Sequence, residues 1–277
     1  MHPGPALAGT IITLLGAAYG AGWLRLRRRA RPLAGIRELA LYLSGLAAIG
    51  VALTSPLHHL ASTQFFAHMI QHELLLMVAP LLLLLSNPFP VILWGLPERA
   101  RRVVGGWFAR GAAGRLGLVA LTRMEAAWLV YTATLWAWHV PAAYETALAV
   151  PLIHDLEHTT FFATGVLFWW PVAHPAPRVR PPHQYVSRIV YVVLAHLQNA
   201  LLGLGLMLTP WVVYPVYAVT TRAIALSPLD DQAWGGLIMW AGGGTIHMLA
   251  VLILLGCLFG RPRTPVSRPQ DAVVATH

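Results

Sequence analysis

Two histidine pairs stand out for their spacing. His68 and His72 are four residues apart, and so are His154 and His158. On a helix, side chains four apart are neighbours on one face, so each pair can chelate one ion. Imidazole suits copper, zinc, iron and nickel. Glu73, Asp155 and Glu157 stand beside these pairs in the sequence, and such carboxylates either orient imidazoles or ligate the ion themselves. Met69, Met207 and Met239 add thioethers, which favour Cu(I). Cys257 is the single cysteine, which excludes an intrachain disulfide and any CxxC metal or redox motif. His72-Glu73 begins an HExxH protease signature, but Leu76 stands where its second histidine belongs, so that catalytic class is excluded.

The elements that carry these residues belong in lipid. Hydrophobic residues make up 57% of the 277 and charged residues only 10%, with a mean hydropathy of +0.62, whereas a soluble domain carries about 25% charged residues. A spanning helix needs about 20 mostly apolar residues. Seven stretches qualify: 6–24, 37–55, 65–86, 124–141, 153–173, 186–208 and 233–259. The fold class expected is therefore all-α, a polytopic membrane bundle forming one domain over 1–260, with a flexible cytoplasmic tail at 261–277. No basic residue precedes the first stretch and a dense run follows it, Arg25, Arg27, Arg28, Arg29 and Arg31. It reads as a span with its N-terminus outside rather than as a cleaved signal.

The arginines test the count. All 19 basic residues are arginine. With seven spans, Arg25 to Arg37, the group Arg99, Arg101, Arg102, Arg110, Arg115 and Arg123, then Arg178, Arg180 and Arg188, and finally Arg261, Arg263 and Arg268 all fall on one side, and only Arg222 on the other. That is the positive-inside pattern, with the C-terminus in the cytoplasm of a bacterial inner membrane. Loop arginines that set orientation also remove the nucleic-acid reading that a pI near 10.6 would otherwise invite. Residues 103–121 are apolar but hold Arg110 and Arg115, and are expected to lie along the interface. The outer loop 209–232 carries Trp211, Tyr214 and Tyr217, suited to the headgroup layer.

This topology gives the histidines a depth. His68, His72, His139, His154 and His158 fall at the outer ends of their helices, and His58 and His59 in an outer loop. Ionisable groups within lipid are costly, which favours a functional reading of the two spaced pairs; the loop pair reads as ordinary surface histidine. His2, His174, His183 and His277 are terminal or cytoplasmic and receive no role. His196 and His247 lie deeper, within roughly two turns of one another in depth. They read either as a second site or relay, or as a structural hydrogen bond between helices, for instance with Asn199.

Four runs then resemble a known family: HMIQHELLLMVAPLLLLLSNP at 68–88, WHVPAAYETAL at 138–148, IHDLEHTTFFATGVLFWWPV at 153–172 and LSPLDDQAWGGLIMWAGGGTIHM at 226–248. They are similar to the seven-helix CtaG family of cytochrome c oxidase assembly factors. The resemblance covers roughly residues 60–260. It implies a part in making active terminal oxidase by supplying copper to a membrane-embedded or extracytoplasmic centre, with an oxidase subunit as client. The family's histidine motifs map onto His68, His72, His139, His154, His158 and His247.

The reading that follows is a copper-handling assembly factor without catalytic turnover, handing its ion to a client docked laterally. A haem-binding electron carrier is the first alternative, since two histidines on separate helices can clamp haem iron; an i, i+4 pair on one helix cannot supply both opposed ligands. A metal permease is the second. It would need polar groups continuing to the inner side, where the sequence offers only Glu38 and Glu125 near helix ends.

Overall fold

A computed structural model describes residues 4–29, 35–109, 111–219 and 224–260. Arg31, Arg110 and Arg222, the terminal histidines His2 and His277, and the expected tail 261–277 lie outside the described residues. Every regular element among those described is helical. Among the described residues, seven long helices form the bundle: α1 (Gly4–Arg28), α2 (Ile36–Thr54), α3 (Phe65–Leu85), α4 (Met124–Trp138), α5 (Pro151–Ala173), α6 (Tyr185–Leu208) and α7 (Pro228–Phe259). Five of them, α1, α2, α3, α6 and α7, are long and apolar enough to cross a membrane. α4 has only 15 residues, and its expected end at Pro141 is instead the first residue of a separate short helix, Pro141–Ala149. α5 has 23 residues, but its first two turns hold His154, Asp155, Glu157 and His158.

Many large apolar side chains point outward, among them Leu129, Leu152, Leu197, Leu201 and Ile253. Such a surface suits lipid rather than water. The inward faces build two cores. The larger joins α3 to α7 around Tyr131, Phe161, Phe168, Trp169 and Tyr191; the smaller, made of Tyr19, Leu26, Tyr42, Leu46 and Val91, ties α1 and α2 to the short helix Pro88–Gly95.

Two helices change pitch beside their functional residues. α3 opens into a π turn at Leu74–Val78, immediately after His72 and Glu73. Pro80 follows, whose missing N–H cannot serve the Leu76 carbonyl, and that carbonyl faces Gly165 of α5, where a Cβ would sit 2.3 Å away. α7 has its own π turn at Ile238–Gly242, just before Gly243 and Gly244. Single π turns recur at functional positions because they rotate the side chains that follow.

Asp231 sets where α3 begins. Its carboxylate accepts hydrogen bonds from the backbone N–H groups of Phe65 (2.8 Å) and Phe66 (2.9 Å). The Gln64 side chain makes no cap bond to α3, so an acid from α7 serves the helix N-terminus across the bundle. The expected interfacial stretch 103–121 is two short helices, Glu98–Trp107 and Ala113–Leu121, with no residue of either fully buried.

Candidate metal centre

The N-terminal turns of α3 and α5 meet face to face. His68, His154, Glu157 and His158 each offer a ligand atom, and the four atoms lie within 4.8 Å of one another. The i, i+4 spacing delivers this on both helices: ring centroids are 4.3 Å apart for His68 and His72, and 4.2 Å for His154 and His158. His72 borders the group, 5.7 Å from His158 by ring centroid, with Nε2 3.6 Å from a Glu157 oxygen. His139, just past the end of α4, lies beyond it, 6.1 Å from His72.

Glu157 occupies the middle. It is fully buried, with its two oxygens 3.7 Å from His68 Nε2 and 3.6 Å from His72 Nε2. Neither oxygen has a hydrogen-bond partner among the described residues, and the same holds for Nε2 of His68, His72, His139, His154 and His158. Buried polar atoms are ordinarily paired, because an unmade hydrogen bond costs about 1–3 kcal/mol. So many unpartnered lone pairs converging on one point make a group that could hold a metal ion.

The rest of the network is compatible with Nε2 as the ring nitrogen presented. Tyr217 donates from its hydroxyl to the Ala61 carbonyl (3.2 Å). Tyr144 Oη lies 3.0 Å from Tyr217 Oη and 2.9 Å from His68 Nδ1. One arrangement uses every proton: His68 Nδ1–H donates to Tyr144, Tyr144 to Tyr217, and Tyr217 to the carbonyl. It leaves the His68 Nε2 lone pair facing Glu157. His139 Nδ1 lies 2.7 Å from the Leu135 carbonyl, which can only accept, so that ring too presents an unprotonated Nε2. A hydrogen bond on one nitrogen that exposes the other is how metal-binding histidines are held.

Tyr144 and Tyr217 escaped the reading by spacing. Tyr217 and Tyr214 were expected at the headgroup layer; both are buried, 2% and 1% exposed, and Tyr214 donates to the His139 carbonyl (2.9 Å). Only Trp211 of that trio is exposed. A tyrosine buried among apolar neighbours needs a partner for its hydroxyl, and Pro215 breaks the loop into the one-turn helix Val216–Val219 that delivers it. His58, read as a surface residue, sits on the short helix Pro56–Ala61 with its ring 6.1 Å from His154 and Nδ1 3.4 Å from Gln71 Nε2.

Other expected residues lie elsewhere. Met69 packs on Gly235, Met239 on Gly203, and Met207 against Gly236, so the three thioether residues serve the contacts among α3, α6 and α7. Glu73 turns to α7: a Cβ at Gly243 would lie 3.0 Å from its Oε1. Asp155 lines an apolar cleft of about 480 Å³ between α1, α2 and α5, together with His58, His154 and His158. His247 belongs to a different neighbourhood, packed with Phe168, Trp169 and His196. At the opposite end of the bundle, His174 Nε2 meets the Arg180 carbonyl (2.9 Å). His183 is pushed below the usual histidine range, first by burial and then by the charge of Arg188.

The chain is 27% identical over 276 residues to an uncharacterized protein of Mycobacterium bovis and, equally, to one of Mycobacterium tuberculosis. An uncharacterized protein of Mycobacterium leprae is 22% identical over 275 residues. Each alignment covers 96% of this chain and 40% of the relative, so the chain spans about 40% of the length of the curated relatives it matches. No solved structure matches. The family model for the cytochrome c oxidase caa3 assembly factor matches residues 17–259, nearly the whole bundle, and the chain belongs to that family.

Proposed function

We propose that this protein binds copper at the outer cluster and delivers it to cytochrome c oxidase during assembly, without catalytic turnover. The observation that carries the reading is the fully buried Glu157 carboxylate, ringed by imidazole nitrogens and without a hydrogen-bond donor among the described residues. A buried anion is stable only when paired. The donor set fits: imidazole and carboxylate suit a borderline divalent ion, and copper(II) binds such sites most tightly of the first-row series. Metal–ligand bonds of about 2.0–2.2 Å place tetrahedral ligand atoms about 3.4 Å apart, so small side-chain rotations from the 4.8 Å grouping suffice to close it. His68, His154, Glu157 and His158 would hold the ion, with His72 and His139 next in reach.

The wider reading follows. Seven spans form one unit over 1–260 in a bacterial inner membrane, N-terminus outside. Its support is the separation of the clustered histidines of α3 and α5 from the loop arginines at the opposite end of the bundle, with a client oxidase subunit meeting the protein on its lipid-facing flank. The cleft reaching His154 and His158 suits a hand-off from that side. Permeation has less support, because Glu38 caps Gly35 N–H (2.8 Å) and Glu125 lies beside Arg123 (3.8 Å), both used at helix ends.

The test is copper binding by the purified protein, measured against a competing chelator. His154→Ala with His158→Ala is expected to lose the outer ion. Full retention in a folded double variant overturns the assignment. In cells, loss of the gene is expected to lower oxidase activity while the haem groups are still inserted; membrane spectra showing haem loss as complete as the activity loss would place the defect at another step.

A further inference from the structure

His196 of α6 and His247 of α7 form a second pair, remote from the first. Their ring centroids are 5.8 Å apart, with the planes tilted by 55°. His247 is 1% exposed and packs on Phe168 and Trp169. Those two residues lie ten and eleven positions along α5 from His158, or about 15 Å at 1.5 Å per residue. The pair is therefore not an extension of the outer cluster.

The ordinary explanation for a buried histidine pair is an interhelical hydrogen bond, and Asn199 is the neighbour in sequence suited to it. Asn199 is already engaged: its Oδ1 accepts from Tyr131 Oη (3.1 Å) and from Gln198 Nε2 (2.9 Å). Both ring nitrogens of His247 and Nδ1 of His196 are buried with no hydrogen-bond partner among the described residues. The backbone makes room for this. A Cβ at Gly244 would come within 2.8 Å of His196 Cε1, so any other residue there would push the ring aside. The π turn Ile238–Gly242 sets the pitch of α7 just before these glycines.

We propose that His196 and His247 bind a second copper ion between them, held by two imidazoles. Metal–nitrogen bonds of about 2.0 Å on each side fit facing rings at this separation. With Gly244 against the His196 ring, α6 and α7 pack directly at this level, which leaves no slot for a porphyrin between the two rings. Glu73 reaches Gly243 from the residue after His72, and its Oε2 is likewise unpartnered among the described residues. A buried carboxylate thus stands between the two sites, on the course an ion would take from one to the other.

The identity of the metal rests on the copper reading of the outer cluster; the existence of the site does not. The experiment titrates the purified full chain in detergent with Cu(II) and, separately, with Cu(I) under anaerobic conditions, each against a competing chelator, and counts bound copper per chain. Wild type is expected to hold two ions. His247→Ala and His196→Gln are each expected to hold one, and His154→Ala with His158→Ala the other one. His196 is only partly buried, so its variant decides the matter if His247→Ala does not fold. One ion in wild type, lost from the outer double variant and kept by both inner variants, overturns the second site and leaves the proposed function standing. No copper in wild type overturns the proposed function and, with it, copper at the second site.

Discussion

The two ends of the bundle carry opposite kinds of polar group. At one end arginines are completed by the chain itself. Arg25 Nη1 donates to the carbonyls of Trp94 (2.8 Å), Gly95 (3.0 Å) and Leu96 (3.3 Å), closing the helix Pro88–Gly95. Arg180 donates twice to the Val119 carbonyl, and Arg115 to that of Arg178. Arg29 and Arg101 both stack on Trp94. At the other end, imidazoles and a carboxylate face one another, buried and unpartnered among the described residues. The contrast teaches how to separate scaffold from site in a protein rich in both. A satisfied charge at the surface holds helices together; an unsatisfied buried one is tolerated for what it binds.

The sharpest division between the ends is pH. A metal competes with protons for each imidazole, and an unperturbed histidine titrates near 6.5. Several imidazoles taking up protons together make copper affinity fall steeply as the pH drops through the range in which the buried rings protonate. The sign is fixed: acid weakens binding. Chelator competition across that window, corrected for the chelator's own protonation, measures it. A profile that stays flat down through that range would mean that the histidines are not the principal ligands.

A smaller effect is expected from the residues that aim the ligands. Tyr144→Phe with Tyr217→Phe removes the chain of hydroxyls that holds the His68 proton on Nδ1, and leaves every ligand in place. Loss of such supporting hydrogen bonds costs about 10- to 100-fold in metal affinity. Unchanged affinity in the double variant would show that the tyrosines pack rather than orient.

How much of this was legible in the sequence follows from geometry. An i, i+4 pair fixes its own azimuth, so His68 with His72 and His154 with His158 could be read directly. The arginines could be read because segregation by loop needs only chain order. Seven long helices were foreseen at their approximate places, though only five have the length and apolarity to cross a membrane. The methionines could be read either as packing or as further ligands: Met69 is one residue from His68, about 100° round the helix, and so turns away from it. Glu73 turns away from His72 for the same reason. Tyr144, Tyr217 and Asp231 were missed because their partners lie 76, 149 and 166 residues distant, and local spacing says nothing of contacts made through short connecting helices.

The histidine end should also trade stability for binding. His72 presents two buried ring nitrogens without hydrogen-bond partners among the described residues, against the Phe161 ring at 4.4 Å. Replacing an unsatisfied polar group by an apolar one of similar shape is neutral or stabilising, by about 1 kcal/mol. His72→Leu is therefore expected to melt in detergent at or above the wild-type temperature while binding copper more weakly. A clear loss of stability would mean that the ring is satisfied by water or a neighbour, and that it belongs with the scaffold.

The smallest effect is expected at the arginine end, and it must leave copper untouched. Arg25→Gln removes a positive charge from the C-terminal end of the helix Pro88–Gly95, where the helix dipole favours a cation. The three carbonyls it leaves are at an exposed position, so water or headgroups replace the lost donor. The cost is about 0.3–1 kcal/mol, the range for a surface charge at a helix end, read as a small fall in melting temperature. α1 and this short helix share the smaller core with α2, which has no histidine in it. Copper stoichiometry and affinity should consequently match wild type. If copper affinity fell by tenfold or more in a variant that still melts cooperatively, the two ends would be mechanically coupled. The arginine end would then be part of the site's support, and satisfaction by the chain would no longer mark a residue as scaffold alone.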